Sequence, residues 1–236
     1  MKAIILAAGE GIRMRPLTLE KPKPLLEVTG KPLLRHIYES LPDVIDEVVL
    51  VVGYKGDLIK KHFGSEFAGK KISYVEQLEK LGTAHALGLC RPHLSEGEKF
   101  LLLYADDLQH KESMTRLLRH DNALLVHKVE DPRRFGVVVT NDGGKILDIE
   151  EKPKNPKTNL VAIGVYVLNY NIFKYELHEK KNGEYFLTDM IKSMIKDQDV
   201  FAEETSFWHP IGYPEDLKKA EIILSQRFQG DVADPK

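Results

Sequence analysis

The chain has 236 residues, 42% hydrophobic and 30% charged, which supplies a sizeable core and excludes a disordered chain. Lys and Arg number 34 against 36 Asp and Glu, a net charge of −2, so nothing marks a nucleic-acid or anionic-membrane partner. The lone cysteine, Cys90, allows no intrachain disulfide, and no apolar run reaches the ~18–20 residues of a bilayer span. A reducing, cytoplasmic setting is expected.

The predicted elements alternate strand and helix. Residues 2–8 form an apolar run ending in Gly9 and read as a buried strand rather than a signal peptide. Residues 32–41 carry apolar side chains at helical spacing; 46–53 (DEVVLVVG) read as a second strand, 57–63 as a short helix and 71–76 as a third strand. Residues 83–90 (TAHALGLC) predict a helix and 99–105 (KFLLLYA) a fourth strand, followed by a helix over 112–119. Continuously apolar strands alternating with helices predict a parallel sheet covered on both faces. After Asp121 the pattern turns antiparallel. A strand is expected over 123–129, a hairpin around Asn141-Asp142-Gly143-Gly144 and a strand over 160–168; helices are expected over 186–195 and 214–228. No boundary separates the halves, and no hexapeptide repeat follows. One domain over residues 1–230 with a polar tail over 231–236 is the expectation.

The informative segment is LAAGEGIRMRPLT, residues 6–18, continuing to KPKPLLEV at 21–28. Gly9 and Gly11 permit close backbone approach to an anion. No Gly-Lys-Ser/Thr closes the segment, so it is no P-loop. A third glycine is missing and Pro16, Pro22 and Pro24 forbid a helix directly after the turn, so it is no dinucleotide fingerprint. Between Arg13 and Arg35 six basic residues face two acidic ones, a local field suited to a polyphosphate. On Gly-x-Gly alone, a tight turn with a solvated basic rim is the better reading; the complete string reverses that.

That string resembles the sugar-1-phosphate nucleotidyltransferases, whose signature is L-x-x-G-x-G-T-R-L-x-P-L-T followed by P-K-x-L-L-x-V-x-x-K-P. Ile12 stands for the usual threonine and Met14 for the usual leucine. Similarities recur to Leu217, nearly the whole chain. The resemblance implies a Rossmann-like three-layer α/β/α sandwich with a mixed, mostly parallel sheet and a partly antiparallel sugar-side portion. It also implies a reaction in which a nucleoside triphosphate and a sugar 1-phosphate give a nucleoside-diphosphate sugar and pyrophosphate. Leu6, Ala8, Gly9, Gly11, Gln77 and Gly82 would bind the nucleotide, with Arg13 and Lys23 neutralising phosphate charge. Asp106 would be catalytic through Mg²⁺, the implied cofactor.

A glutamine amide suits the imide edge of uracil or thymine, although a surface glutamine and a helix capped at Thr83 fit the spacing of residues 77–83 equally well. His85 reads as a packing residue. In LYADD, residues 103–107, a strand-end carboxylate can hold Mg²⁺ on substrate phosphates; helix capping is the alternative, which Asp107 fits better. Gly136, Glu151, Lys152, Asn159 and Gly164 match the family's sugar-phosphate stretch, and KNPKTNLVAIGVYVL resembles the glucose-1-phosphate thymidylyltransferase branch, favouring dTTP or UTP with glucose 1-phosphate. For Glu151 and Lys152 a solvated charge cluster is the plainer reading. The segment GEYFLTD, residues 183–189, reads as structural.

One departure stands out. Where the family has W-x-D-x-G-T-P-E-D-L, this chain has WHPIGYPEDL, residues 208–217: Pro210 replaces the second metal ligand and Tyr213 the threonine. That keeps open a non-catalytic nucleotide- or sugar-binding relative, and Asp107 through water or His209 as a substitute ligand. A phosphocholine-like acceptor is disfavoured by the sugar-side stretch. A homo-oligomer is compatible with all of these readings.

Overall fold

A computed structural model describes residues 1–180 and 183–230; the expected tail over 231–236 lies outside the described residues. The first half builds four parallel strands. These are β1 (Lys2–Ala7), which leads through a long loop and a small hairpin, β2 (Glu27–Val28) and β3 (Lys31–Pro32), into α1 (Leu33–Ser40); then β4 (Glu47–Val52), α2 (Gly56–Phe63), a short β5 (Glu66–Phe67), β6 (Lys70–Glu76), α3 (Gly82–Leu89) and β7 (Lys99–Tyr104). The second half adds β8 (Asp107–Gln109), α4 (Lys111–Leu117), β9 (Ala123–Lys128), β10 (Gly136–Thr140), β11 (Ile146–Glu151) and β12 (Leu160–Asn169). It closes with α5 (Leu187–Met194), β13 (Phe201–Glu204), β14 (Trp208–Pro210) and α6 (Pro214–Gly230).

One ten-stranded sheet carries most of these, in the order β11-β10-β12-β7-β1-β4-β6-β5, with β9 on β12 and β13 on β9. Strands β7, β1, β4 and β6 are parallel, whereas β12 runs antiparallel to β7, β9 and β10. This is the mixed, Rossmann-like arrangement that the pattern implied. Alternation along each strand feeds two cores. Ala3, Ile5 and Ala7 of β1 join Val48, Leu50 and Leu101 under α1, α2 and α4; Ile4, Val49 and Leu102 pack on the opposite face with Leu87 of α3 and Leu187 and Ile191 of α5. Three layers result. Among the described residues no helix is long and apolar enough to cross a membrane.

At β12 the sheet divides. One edge holds β9 along both halves; the other pairs Val161 and Ala162 with β10, then Val165–Asn169 with β7. The changeover falls at Gly164, with φ +76°, where an added Cβ would lie 2.6 Å from the Tyr104 ring. Only glycine fits both the left-handed backbone and that contact. The expected hairpin forms, and Asn141 closes it: its Oδ1 accepts from the N–H groups of Gly143 and Lys145, both at 3.0 Å.

Strands β8, β13 and β14 were not expected from the sequence. They are short and exist through their partners, β14 antiparallel to β8 and β13 parallel to β9.

Candidate active site

The C-terminal ends of the parallel strands β7, β1, β4 and β6 lie in a row in the sheet order, and the ends of such strands are where open α/β sheets bind ligands. The loop after β1 forms the floor. Its prolines break it into three one-turn 3-10 pieces, Ile12–Met14, Leu17–Leu19 and Lys23–Leu25. Thr18 donates its hydroxyl to Gly11 O at 2.8 Å, and Tyr54 after β4 donates to Thr18 O at 2.9 Å. A third apolar cluster, Met14, Leu26, Val28 and Leu33 with Leu108, Ile211 and Ala220, props the loop from below. At Gly11 (φ +61°) an added Cβ would sit 3.1 Å from Lys23 Cβ; its absence admits the lysine stem.

Lys23 is 8% exposed. Its Nζ lies 3.0 Å from Asp106 Oδ2, and the Asp106 side chain remains 41% open. A buried ammonium needs a partner, and here the partner is the carboxylate at the mouth of β7. Asp107 turns the other way. Its Oδ2 accepts from Trp208 Nε1 at 2.7 Å and its Oδ1 from Ile211 N at 3.3 Å. Burial, with the Asp106 charge beside it, pushes the Asp107 carboxyl up. The capping role expected for Asp107 is therefore corrected: it lies in β8 and fastens β14, while His110 precedes α4.

A cavity of about 430 Å³ opens over this pair. Leu6, Ala8, Gly9, Gly11, Arg13, Lys23, Gln77, Gly82 and Asp106 all line it. The sequence reading missed Tyr104, Thr83, Lys80 and Glu184 on the same wall. Lys80 pairs with Glu10 across the rim. Thr83 does not cap α3; its Oγ1 accepts from Leu187 N at 3.0 Å, joining α3 to α5. Gln77 donates from Nε2 to Gly82 O at 3.0 Å, with His85 Nδ1 at 3.1 Å from the same nitrogen. His85 is therefore a partner of Gln77 as well as a helix residue.

The sugar-side residues form a second group beside the cavity. Gly136 and Glu151 are register partners on β10 and β11, and Gly136 also faces Ala162 of β12. Thr188 of α5 donates to Glu151 Oε2 at 3.1 Å, so the segment read as structural supplies a side chain here. Burial pushes the Glu151 carboxyl up; Lys152 and the Thr188 hydroxyl oppose that shift. Lys152 Nζ lies 3.5 Å from Glu151 Oε1 and 5.0 Å from the Phe186 ring centroid. Gly164 lies behind Tyr104 rather than on the cavity surface. Asn159 is exposed, and its carbonyl accepts from Val129 N at 3.0 Å.

The departing residues occupy defined places. Pro210 pairs in register with Asp107 on β14, directly across from the carboxylates. His209 is committed elsewhere, its Nε2 3.0 Å from Asp216 O. Tyr213 lies between two guanidiniums: Arg13 Cζ is 5.5 Å and Arg134 Cζ 5.2 Å from its ring centroid, and Arg134 donates to its hydroxyl at 2.6 Å. Asp216 accepts from the N–H groups of Gly212 and Tyr213, both at 2.9 Å, which fixes the turn into α6.

Among the described residues no group of three His, Cys, Asp or Glu side chains could hold a metal by itself. Magnesium needs one or two carboxylates when substrate phosphates complete its shell. The half-open Asp106 fits an ion that arrives with a triphosphate, and no closed protein cage is needed.

Residues 2–227 match the family described as nucleotidyl transferase. The chain is 39% identical over 238 residues to the UTP–glucose-1-phosphate uridylyltransferase AglF of Haloferax volcanii, covering 96% of this chain and 97% of that one. It is 37% identical over 237 residues to the bifunctional protein GlmU of Methanocaldococcus jannaschii; that is 98% of this chain but 56% of the relative, little more than half its length. The crystal structure of a UDP-glucose pyrophosphorylase complexed with UDP-glucose superposes with a TM-score of 0.85 over 96% of this chain and 98% of that one, at 24% identity, a likeness of fold.

Proposed function

We propose a specific reaction for this chain, which belongs to the sugar-1-phosphate nucleotidyltransferase family: transfer of a nucleotidyl group from UTP or dTTP to glucose 1-phosphate. A phosphate oxygen of the sugar phosphate attacks the α-phosphorus. The bond from that phosphorus to the β-bridging oxygen breaks, and pyrophosphate leaves with the electron pair. No proton needs to move at the reacting atoms, so the protein's work is alignment and charge stabilisation.

The observation that carries this reading is the buried Lys23 ammonium held by Asp106 under a glycine loop, with Gln77 on the same cavity wall. Backbone N–H groups around Gly9 and Gly11 would cradle the phosphates, and Arg13 would meet the leaving pyrophosphate. Lys23 would meet charge that grows on the α-phosphate. Mg²⁺ at Asp106 would supply further neutralisation of the triphosphate oxygens. Gln77 would read the base, and Gly136, Glu151 and Lys152 would hold the sugar phosphate, with Gly164 seated behind Tyr104 and Asn159 an exposed amide before β12. The AglF likeness over nearly the full length of both chains favours UTP. Pyrophosphate release over a grid of triphosphates and sugar 1-phosphates tests it. Nucleotide binding without release for any pair would leave a non-catalytic binding protein.

A further inference from the structure

The phosphate loop is long and poorly buried. Between Arg13 and Lys21 only Met14 and Thr18 are buried, while Leu17 and Leu19 are 42% and 52% exposed. Apolar packing therefore does not fix the one-turn piece Leu17–Leu19, which lies midway between Arg13 and Lys23. The turn from β4 to α2 takes up the carbonyls there instead. Tyr54 Oη donates to Thr18 O at 2.9 Å and lies 3.5 Å from Leu19 O. Lys55 Nζ donates to Glu20 O at 3.0 Å. The same turn holds the start of the loop, where Tyr54 N donates to Ala8 O at 3.2 Å.

The turn itself is tightly seated. At Gly53 an added Cβ would lie 2.8 Å from Gln77 O and 2.9 Å from Ala8 O. Lys55 then adopts a left-handed backbone with φ +53°, a conformation that strains a lysine and suits glycine. From Thr18 the contacts run inward. Its Oγ1 donates to Gly11 O at 2.8 Å, and the stem of Lys23 passes Gly11. An unbroken line of contacts leads from the end of β4 to the glycine turn and to Lys23.

We propose that Tyr54 and Lys55 are positioning residues for the transfer. They clamp the middle of the loop to the sheet, so that Arg13 and Lys23 stand in fixed places before a triphosphate arrives. Neither lines the cavity, and both act through the loop. A charge that stabilises a transition state must already be in place, and it loses its advantage when the backbone carrying it wanders. The lysine in a position suited to glycine fits this role, because its ammonium reaches Glu20 O and a glycine has nothing to reach with. The inference rests on the reading that this loop meets the triphosphate.

The test uses Tyr54→Phe and Lys55→Gly in the intact chain, each alone and combined with Lys23→Ala. Both single variants should speed hydrogen exchange at the Met14 and Leu19 amides, which close the loop's own turns onto Gly11 O and Pro16 O. The denaturant midpoint of Lys55→Gly should hold, because relief of the left-handed backbone offsets the lost ammonium contact. Turnover with UTP and glucose 1-phosphate should fall about five- to tenfold in each, the worth of one hydrogen bond, in kcat more than in KM. In the Lys23→Ala background the same substitutions should change kcat about twofold or less, because groups that act as a unit are not additive. Unchanged loop exchange, equal falls in both backgrounds, or a Lys55→Gly midpoint that drops in step with kcat would overturn the proposal. A large Lys23→Ala effect beside inert clamp variants overturns the proposal alone. Lys23→Ala without effect, or a parent that releases no pyrophosphate, overturns the phosphate-loop reading and the clamp with it.

Discussion

Lys23 and Asp106 stand 83 positions apart in the chain and meet at 3.0 Å beneath the cavity. Neither is placed by its own element. Lys23 opens a one-turn 3-10 piece and its stem passes Gly11, which leaves room for it, and Asp106 follows the sheet's central β7. The pair fixes a positive charge where a phosphate would arrive and prevents the lysine from swinging out to water.

Lys23→Ala should lower kcat on the order of 10²–10³-fold, the usual effect of losing one preorganised group that meets transition-state charge, with a smaller change in KM. Steady-state kinetics with varied triphosphate check this. Unchanged kcat with a raised KM would reduce Lys23 to a binding residue.

Asp106→Asn should nearly abolish turnover while leaving metal-free triphosphate binding measurable, because the variant loses the carboxylate paired with Lys23 at 3.0 Å. Pro210→Asp would set a carboxylate opposite Asp107 and should shift the Mg²⁺ activation curve to lower concentration. A Mg²⁺ titration of activity for parent and both variants decides. An active parent indifferent to Asp106→Asn would remove Asp106 from the metal role.

Glu151 predicts a pH dependence. Its carboxyl is raised by burial, so the folded state holds that proton more tightly than the unfolded chain does. Stability from this group is present below the unfolded value near 4.5 and is lost as pH rises through the higher folded value. Glu151→Gln should therefore be more stable than the parent at neutral pH, and the difference should vanish in acid. Sugar-phosphate binding should run the other way: KM should rise on acidification before an ordinary glutamate would protonate, and Glu151→Gln should lack that limb. Denaturant melts and KM across pH 4–8 test both signs.

Tyr213→Thr, the residue of the family motif, removes a ring that two guanidiniums share. Each such contact contributes about 0.5–1 kcal/mol at an exposed site. Triphosphate KM should rise several-fold with kcat little changed. Tyr213→Phe keeps the ring and should lose only the part due to the Arg134 hydrogen bond.

The strand–helix alternation of the first half was legible because strands buried on both faces are apolar throughout, as in β4 and β7. The phosphate loop was legible as an unbroken string. Strands β8 and β14 were not, since a stretch bearing Asp107 or Pro210 has no strand pattern of its own. They exist because Trp208 reaches Asp107 across 101 positions. Thr188 was overlooked for the same reason: its partner Glu151 lies 37 residues earlier on another element. His85 sits eight residues from Gln77, a spacing that suggests no contact until the turn at Gly82 folds one back on the other. Sequence spacing finds groups that share an element; pairings across elements come from the fold.

The central claim is that this cavity joins a pyrimidine triphosphate to a sugar phosphate. The most direct measurement is pyrophosphate release with UTP and glucose 1-phosphate, run beside dTTP, CTP and ATP and beside Lys23→Ala. The account predicts release with UTP or dTTP that requires the sugar phosphate and falls on the order of 10²–10³-fold in the variant. Equal release by parent and Lys23→Ala, or none from the parent with any of the four triphosphates, would contradict it.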